Sequence, residues 1–216
     1  MGRGLMIETI IFDLGKVILD FDHHLITQKL SQISGYDEAK LFDLIFASDL
    51  VKSFDEGRLS PNDFFREIIG ILNTEIDFER FTLIWNDIFF PPKEGMVKLL
   101  SQLKEERYHL YLLSNTNILH FEYIWERHEI LRVFEGYILS YQLGVTKPDP
   151  QIYLEALKRS NSPPERCIYI DDIEEFAEAA TSAGIKGIHF QSIEKLYGML
   201  IEMGILDSEE KAWSEC

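Results

Sequence analysis

The amino-acid sequence predicts an α/β fold, a Rossmann-like parallel sheet core with an all-helical cap of the four-helix-bundle type inserted after the first strand. Three patterns predict this fold. An unbroken apolar run over residues 9–12 is typical of a buried parallel strand. Residues from His23 to about Trp85 show only helical periods, and strands alternate with helices beyond Pro92.

The helical insert is predicted from apolar residues that recur every three or four positions. Four groups follow one another: Leu25, Leu30 and Ile33; Leu41, Leu44 and Ile45; Phe64, Phe65, Ile68 and Ile69; Phe78, Phe81, Leu83 and Ile84. Ser60 followed by Pro61 is typical of a helix start. We therefore predict a core formed by residues 1–20 and 91–216, and a cap formed by residues 21–90 that overhangs the end of the first strand.

Beyond Pro92, the predicted elements alternate in type. The strands are 108–113, 136–139, 167–170 and 187–190, and the helices are 95–105, 117–127, 150–159 and 173–183. Such alternation predicts a parallel sheet with helices on both faces. Ligands of these sheets bind at the carboxyl ends of the strands, so the residues that follow the strands are the candidates for function.

Composition narrows the possible partners. Of the 216 residues, 46% are hydrophobic and 27% are charged, as in ordinary globular proteins. A net charge of −16 repels nucleic acid and anionic lipid, so we expect neither nucleic acid nor a membrane as a partner. The two cysteines, Cys167 and Cys216, lack the spacing of a disulfide framework and favour a cytoplasmic location. The oligomeric state stays unknown.

Polar residues end four apolar or turn segments that we predict to meet at one edge of the sheet. They are Asp13, Ser114, Lys147 and the pair Asp171-Asp172. Each has a plain structural reading, since strand-terminal acids and Ser-Asn pairs favour turns and a lysine beside a proline is usually solvated. Together they provide carboxylates, a hydroxyl and an amine, which can hold a phosphate and a divalent metal.

The order and the local sequence of these segments resemble the haloacid dehalogenase superfamily of hydrolases. The matching segments are Ile11-Phe12-Asp13-Leu14-Gly15, Leu113-Ser114-Asn115, Lys147-Pro148 and Ile170-Asp171-Asp172. The helical insert stands where that family has a cap. Residues 12–18 and 114–117 are most similar to the branch that contains glucose-1-phosphate phosphatase and the phosphatase half of soluble epoxide hydrolase.

The resemblance implies a Mg²⁺-dependent phosphatase for a small phosphorylated substrate. Asp13 would be the nucleophile and would form an aspartyl-phosphate. The Asp13 side chain, the Gly15 carbonyl and Asp172 would hold Mg²⁺. Ser114, the Asn115 backbone N–H and Lys147 would bind and stabilise the phosphoryl oxygens.

Two positions depart from the family pattern. Most phosphatases of the family carry a second Asp two residues after the nucleophile, which acts as general acid and base, and this chain has Gly15 there. Related sequences often have Asn or Asp where this chain has Phe176. A general acid or base commonly contributes ~10²–10⁴-fold to rate, so Gly15 lowers the expected turnover.

Other groups near the first motif have two readings. A replacement proton donor can come from Asp20, Asp22, His23 or His24, although Asp22 as a helix cap with exposed histidines is the plainer interpretation. Trp85, Phe89 and Phe90 either line a substrate pocket or pack in the core of the bundle.

Three functions are therefore carried forward. The first is a phosphatase for a small metabolite, preferably a sugar phosphate, with the cap selecting the substrate. The second is a 2-haloacid dehalogenase, which Asp172 and Gly15 oppose because dehalogenases use no metal and carry a large side chain after the nucleophile. The third is a catalytically weak or inactive phosphate-binding protein of the same fold, which Gly15 and Phe176 favour.

Overall fold

A central parallel sheet and a helical insert make up the structure, a computed structural model that describes residues 6–207. In chain order the strands are β1 (Thr9–Phe12), β2 (Leu19–Phe21), β3 (Phe89–Pro92), β4 (His109–Ser114), β5 (Gly136–Leu139), β6 (Cys167–Asp171) and β7 (Lys186–His189). The helices are α1 (His24–Ser34), α2 (Glu38–Phe46), α3 (Asp49–Asp55), α4 (Pro61–Leu72), α5 (Phe78–Asn86), α6 (Glu94–Glu105), α7 (Ile118–Arg127), α8 (Ser140–Leu143), α9 (Pro150–Ser160), α10 (Glu174–Ser182) and α11 (Ile193–Glu202). Short 3-10 helices lie at Glu129–Val133 and Pro164–Arg166.

The main sheet has the strand order β5-β4-β1-β6-β7, and all four pairings are parallel. Strand β1 lies at its centre, where Phe12 pairs with Leu112 of β4 and with Ile170 of β6. The carboxyl ends of β1, β4 and β6 therefore lie side by side. The α/β fold predicted from the sequence is confirmed.

Ile10, Ile11 and Phe12 of β1 alternate between the two covered faces of the sheet. Ile10 and Phe12 pack on one face of the sheet with α6, α7 and α11, whereas Ile11 packs on the other face with α9 and α10. All three side chains are fully buried. Both faces of a central parallel strand are covered, and the one polar side chain of β1, Thr9, is buried with its hydroxyl hydrogen-bonded to that of Ser162 at 2.7 Å.

The insert has a hydrophobic core of its own. Buried side chains from α1 to α5 form a cluster that includes Phe54, Phe64, Phe81 and Trp85. The α4 helix begins at Ser60, whose hydroxyl accepts a hydrogen bond from the Asp63 backbone N–H at 3.1 Å, as its sequence predicts. Residues 21–90, all described, hold five helices instead of the four expected, because the seven-residue α3 had no clear period of its own.

The chain enters and leaves the insert through two paired strands that the sequence did not reveal. Strands β2 and β3 pair antiparallel, with Leu19 opposite Pro92 and Phe21 opposite Phe89. A further bond joins the Lys93 N–H to the Ile18 carbonyl at 2.9 Å. These strands are three and four residues long, and β3 contains two prolines, so neither has the length or alternation that would predict a strand.

The structure bears on two of the expectations from composition, those about a membrane and about the cysteines. Within residues 6–207, no helix combines the length and the apolar character needed to cross a membrane. Cys167 is a buried free thiol in β6, and Cys216 lies outside the described residues. The cytoplasmic location and the absence of a nucleic-acid partner stay predictions.

The loop after α3 sets a tight contact between the insert and the sheet. Gly57 has a φ of +66°, and a Cβ atom at this position would lie 2.1 Å from the Tyr141 carbonyl oxygen. Gly35 at the end of α1 has a similar φ of +72°, but a Cβ atom there would meet nothing within 4 Å. The two glycines therefore separate backbone strain from steric contact.

We predict that Gly57→Ala lowers the free energy of unfolding by about 2–4 kcal/mol, since the new methyl group both strains the backbone and displaces the Tyr141 carbonyl. Gly35→Ala should cost about 1 kcal/mol, from the left-handed backbone alone. Urea unfolding of both variants measures the difference. Equal losses would show that the insert does not press on the sheet at Gly57.

Candidate active site

Asp13 lies directly after β1, at the centre of the edge where the strands end. Its backbone N–H donates to the Ile170 carbonyl at 2.9 Å, which continues the pairing of β1 with β6 by one residue. Ser114 ends β4 on one side of Asp13, and Asp171 ends β6 on the other. The structure thus brings three of the predicted segments together at one edge.

The sequence suggested that Lys147 lies at a strand end. In the structure Lys147 reaches this edge from a loop. Strand β5 ends at Leu139, and α8 and a loop carry the chain to Lys147. The Asn115 side chain holds the loop by two bonds, because its Oδ1 accepts from the Lys147 N–H at 2.8 Å and its Nδ2 donates to the Lys147 carbonyl at 3.2 Å. The sequence did not predict this contact.

The Lys147 ammonium group joins two carboxylates. Its Nζ lies 2.8 Å from Asp13 Oδ1 and 2.7 Å from Asp171 Oδ2. Lys147 is 4% exposed, Asp13 is 6% exposed and Asp171 is fully buried. Such buried charges are stable only when paired, so the lysine and both acids depend on one another.

The two acids of the Asp171-Asp172 pair have different surroundings. Both oxygens of Asp171 already accept hydrogen bonds: Oδ2 from Lys147 and the Tyr169 hydroxyl, and Oδ1 from the Ile173 N–H at 2.8 Å. Asp172 is partly buried, and within the described residues no other residue is seen to donate a hydrogen bond to its carboxylate. Asp171 is thus fixed as a partner of Lys147, whereas Asp172 is free to take a ligand.

The acidic groups at this edge can hold a metal ion. One oxygen atom from each of Asp13, Asp171 and Asp172 lies within 4.8 Å of the other two. Three carboxylates against one ammonium group leave an excess of two negative charges when all are ionised. A divalent cation that prefers oxygen ligands fits both the donor set and the charge.

Burial and the neighbouring charges shift the pKa values of the groups at this edge. Burial raises the pKa of Asp13 to about 7, although Lys147 opposes the change. Burial and the neighbouring Asp171 raise the pKa of Asp172 in the same way. Burial alone would lower the pKa of Lys147, but Asp13 and Asp171 outweigh it and raise this pKa, so the lysine keeps its proton.

Gly15 leaves no space for a side chain. A Cβ atom at Gly15 would lie 2.5 Å from Cε1 of the Phe21 ring, which packs over the glycine from β2. The Gly15 carbonyl accepts a hydrogen bond from the Val17 N–H at 2.7 Å, and its second lone pair stays available. An acid at position 15 would therefore have to displace the Phe21 ring.

Phe176 occupies the second position that departs from the family pattern. The Lys147 Nζ lies 5.1 Å from the centre of the Phe176 ring and 5.7 Å from that of Tyr169. Both rings present a face to a buried cation, which is an attractive arrangement. Phe176 thus contacts the lysine where a polar residue was expected.

A cavity of about 90 Å³ lies between the strand ends and the insert. From the sheet side it is lined by Leu14, Gly15, Ser114, Asn115, Thr116, Asn117, His120 and Ile124, and from the insert side by Phe21, His23, Val51, Asp55, Trp85 and Phe89. Among residues 6–207, the only hydrogen bond seen for the Ser114 hydroxyl is a long one of 3.4 Å to the Asn115 carbonyl. The hydroxyl is therefore available to a ligand in this cavity.

The alternatives for the neighbouring residues can now be compared. The Asp22 side chain accepts from the His24 N–H at 2.9 Å, although the N-cap position of α1 is taken by His23 and not by Asp22 as expected. His24 is exposed, but His23 is not: it lines the cavity and stacks on Phe46. Burial lowers the pKa of His23 to about 4, so it is neutral at physiological pH.

The aromatic residues Trp85, Phe89 and Phe90 were expected either to line a substrate pocket or to pack in the core of the insert, and the structure places them differently. Trp85 is fully buried in the core of the insert and also lines the cavity, as does the partly buried Phe89. Phe90 is 48% exposed and is not part of the cavity wall.

The sequence matches the haloacid dehalogenase-like hydrolase family over residues 7–184. Because this match spans most of the chain, the protein belongs to the haloacid dehalogenase-like hydrolases. The family resemblance inferred from the motifs is confirmed, and so is the expectation of a hydrolase. The narrower branch suggested by residues 12–18 and 114–117 stays a prediction.

Two curated relatives align with most of the chain. The D-ribitol-5-phosphate phosphatase of Bacteroides thetaiotaomicron is 29% identical over 173 residues, which cover 77% of this chain and 84% of that protein. A sesquiterpene phosphatase of Aspergillus oryzae is 28% identical over 184 residues, which cover 83% of this chain and 87% of that protein. Both relatives are named as phosphatases, for chemically different substrates.

A solved structure has the same fold. A family enzyme of Bacteroides thetaiotaomicron, in complex with magnesium and inorganic phosphate, superposes with a TM-score of 0.79. It is 23% identical, and the match covers 88% of this chain and 99% of that one. At this identity the likeness supports the fold, and the chemistry has to be argued from the residues.

We predict that Lys147→Met lowers the free energy of unfolding by about 3–5 kcal/mol near pH 8, because it leaves two buried carboxylates without their cation. Burial already raises the folded-state pKa of Asp13 to about 7, and loss of Lys147 would raise this pKa further, so the loss of stability should shrink as the pH falls and Asp13 takes up a proton. Urea unfolding from pH 5 to pH 8 measures both effects.

Lys158→Met provides the matched control, since the Lys158 side chain is 78% exposed and pairs with Glu155 at 3.2 Å. Its loss should stay below about 1 kcal/mol at every pH. A pH-independent loss for Lys147→Met would contradict the charge pairing.

Proposed function

We propose that the protein is a Mg²⁺-dependent phosphatase that hydrolyses a small phosphorylated metabolite through an aspartyl-phosphate on Asp13. The observation that carries this proposal is the bond between Lys147 Nζ and Asp13 Oδ1, because it places a carboxylate and a fixed positive charge at one edge of the sheet. The substrate class we favour is a sugar or polyol phosphate.

Asp13 is suited to act as a nucleophile by its position. One oxygen is held by Lys147, so the carboxylate has a fixed orientation at the end of the rigid central strand. A carboxylate that attacks phosphorus divides one slow displacement into two faster ones. Lys147 would neutralise charge on the phosphoryl oxygens as they approach Asp13.

Mg²⁺ is the cofactor that the acidic group favours. The free oxygen of Asp13, the Asp172 carboxylate and the Gly15 carbonyl would hold it, and Asp171 would keep Lys147 in place beside them. When bound, Mg²⁺ supplies positive charge that offsets the repulsion between the nucleophile and an anionic phosphate.

Ser114 and Asn115 would bind the transferring phosphoryl group. The Ser114 hydroxyl borders the cavity with a weak internal contact, and the Asn115 backbone follows it at the start of the loop. Removal of one such donor typically costs ~10²–10³-fold in rate. Asn115 has a second role in this proposal, since its side chain orients Lys147.

Residues 21–90 would act as the cap that covers the substrate, with residues 1–20 and 91–216 as the catalytic core. The aromatic wall of the cavity, Phe21, Trp85 and Phe89, would pack on the carbon atoms of the leaving group. The D-ribitol-5-phosphate phosphatase among the relatives supports a polyol or sugar phosphate of similar size.

A phosphate-binding protein without turnover is the second candidate, because Gly15 provides no acid and the Phe21 ring packs where its side chain would lie. A haloacid dehalogenase is disfavoured by Asp172, whose free carboxylate adds to an acidic group that such a reaction does not need. One set of assays separates all three.

We predict phosphate release from p-nitrophenyl phosphate and from sugar phosphates that requires Mg²⁺ and stops with EDTA. Asp13→Asn should lower kcat by roughly 10⁴-fold or more, since it removes the nucleophile. Asp172→Asn should raise the Mg²⁺ concentration needed for half-maximal activity. No chloride release from 2-chloropropionate is expected.

Asp43→Asn is the control, because Asp43 is an exposed carboxylate of α2 outside the cavity. It should behave as the wild type. Calorimetric binding of sugar phosphates without phosphate release would favour the phosphate-binding protein, and chelator-resistant chloride release would favour the dehalogenase.

A further inference from the structure

Hydrolysis of an alkyl phosphate needs a proton for the departing oxygen, because an alkoxide is a poor leaving group. Gly15, two residues after the proposed nucleophile Asp13, packs against Phe21 and has no side chain to supply this proton. We propose that Asp55, at the end of α3 in the insert, donates this proton to the leaving-group oxygen and later accepts one from the attacking water. This inference rests on the proposed phosphatase function.

Asp55 lies where the insert faces the strand ends. It lines the 90 Å³ cavity together with Gly15 and Ser114. It also lines a wider groove of about 700 Å³ that contains Asn115 and Lys147. Asp55 therefore borders, from the insert, both spaces that adjoin the phosphate-binding residues.

The backbone of Asp55 is hydrogen-bonded to Ser140, the first residue of α8 directly after β5. The Ser140 hydroxyl donates to the Asp55 carbonyl at 2.6 Å and accepts from the Thr116 N–H at 2.9 Å. Ser140 is fully buried, and Thr116 lies two residues after Ser114. The position of Asp55 is thus fixed relative to the residues that would hold the phosphate.

The carboxylate of Asp55 is half used by the protein. Its Oδ1 accepts from the Asn117 Nδ2 at 3.0 Å. Within the described residues no hydrogen bond or ion pair to Oδ2 is seen. One oxygen therefore anchors the side chain and the other is available to a ligand.

The other ionisable groups of the cavity are poorly suited to this role. In the described part of the chain they are His23 and His120. His120 is committed at both ring nitrogens, since its Nε2 donates to the Trp85 carbonyl at 3.0 Å and its Nδ1 accepts from Asn117 at 3.2 Å. Burial lowers the pKa of His120 to about 3 and that of His23 to about 4, so neither carries a proton to give near neutral pH.

The pKa of Asp55 is shifted upward, in contrast to those of the two histidines. Burial raises the pKa of Asp55 to about 6, although the Asn117 bond opposes it. Both the acid and the base form are therefore accessible near neutral pH, which is what a group that first gives and then takes a proton requires.

The steps balance in atoms and charge. Asp13 forms a bond to phosphorus as the bond from phosphorus to the leaving oxygen breaks, and the Asp55 carboxyl proton moves to that oxygen, which leaves as an alcohol. A water molecule then attacks the aspartyl-phosphate, one of its protons moves to the Asp55 carboxylate, and Asp13 and inorganic phosphate are released.

The test compares leaving groups. For Asp55→Asn we expect kcat/KM for an alkyl phosphate to fall by ~10²–10⁴-fold, and kcat/KM for p-nitrophenyl phosphate, whose leaving group departs without a proton, to fall by less than about tenfold. The alkyl substrate is D-ribitol 5-phosphate or any sugar phosphate that the wild type hydrolyses faster. The ratio kcat/KM reports transfer to Asp13 and excludes the later hydrolysis step.

Two variants separate proton transfer from anchoring. In Asp55→Asn the amide oxygen can still accept from Asn117, so the anchor is kept, whereas Asp55→Ala removes it. Asp55→Glu should recover part of the alkyl phosphatase activity. Asp43→Asn on the exposed face of α2 should retain the wild-type ratio between the two substrates.

An equal loss on both substrates in Asp55→Asn, or no loss on either, would overturn the role of Asp55. So would a wild type that hydrolyses aryl phosphates and no alkyl phosphate, although the proposed nucleophile would then still stand. Failure of the proposed function itself would look different, since Asp13→Asn would then leave phosphate release unchanged.

Discussion

The buried ion pairs of Lys147 are the interaction on which the rest of the edge depends. The Lys147 ammonium group lies in a loop. It holds Asp13 and Asp171, which lie at the ends of two different strands. Removal of Lys147 would leave two buried carboxylates without their cation, and such a loss is far more costly than that of a surface pair. The supporting contacts all serve this position: Asn115 fixes the loop, Tyr169 and Ile173 fix Asp171, and aromatic rings cover the lysine.

The insert is more than a cover over this edge. It reaches the sheet through the β2–β3 pair and again through the end of α3, where Ser140 and Asn117 bind Asp55. Its hydrophobic core is separate from the two cores that flank the sheet. A unit with its own core can keep its internal packing while its contacts to the rest of the chain change. These contacts are apolar as well as polar, because Ile118 and Leu119 of α7 pack against the core of the insert.

Much of the architecture was accessible from the sequence because its signals are local. An apolar run followed by Asp13 predicts a central strand with a polar end, and helical periods predict the insert. The polar ends of β1, β4 and β6 could be predicted to meet, since parallel strands share one edge. What the sequence could not show was contact between distant segments: Asn115 with the Lys147 loop, Phe21 over Gly15, Phe176 against Lys147, and Asp55 with Asn117. These depend on packing geometry, and the residues involved have no distinctive spacing. Strands β2 and β3 were missed for a similar reason, because each is too short to show alternation.

The packing of Phe21 over Gly15 has a consequence for water. Phe21 belongs to β2, one of the two strands that connect the insert, so a rotation of the insert that bends β2 must also lift the ring from the glycine. The space uncovered lies beside the loop that follows Asp13. Access of water to that loop would therefore depend on the position of the Phe21 ring, and through β2 on the orientation of the insert.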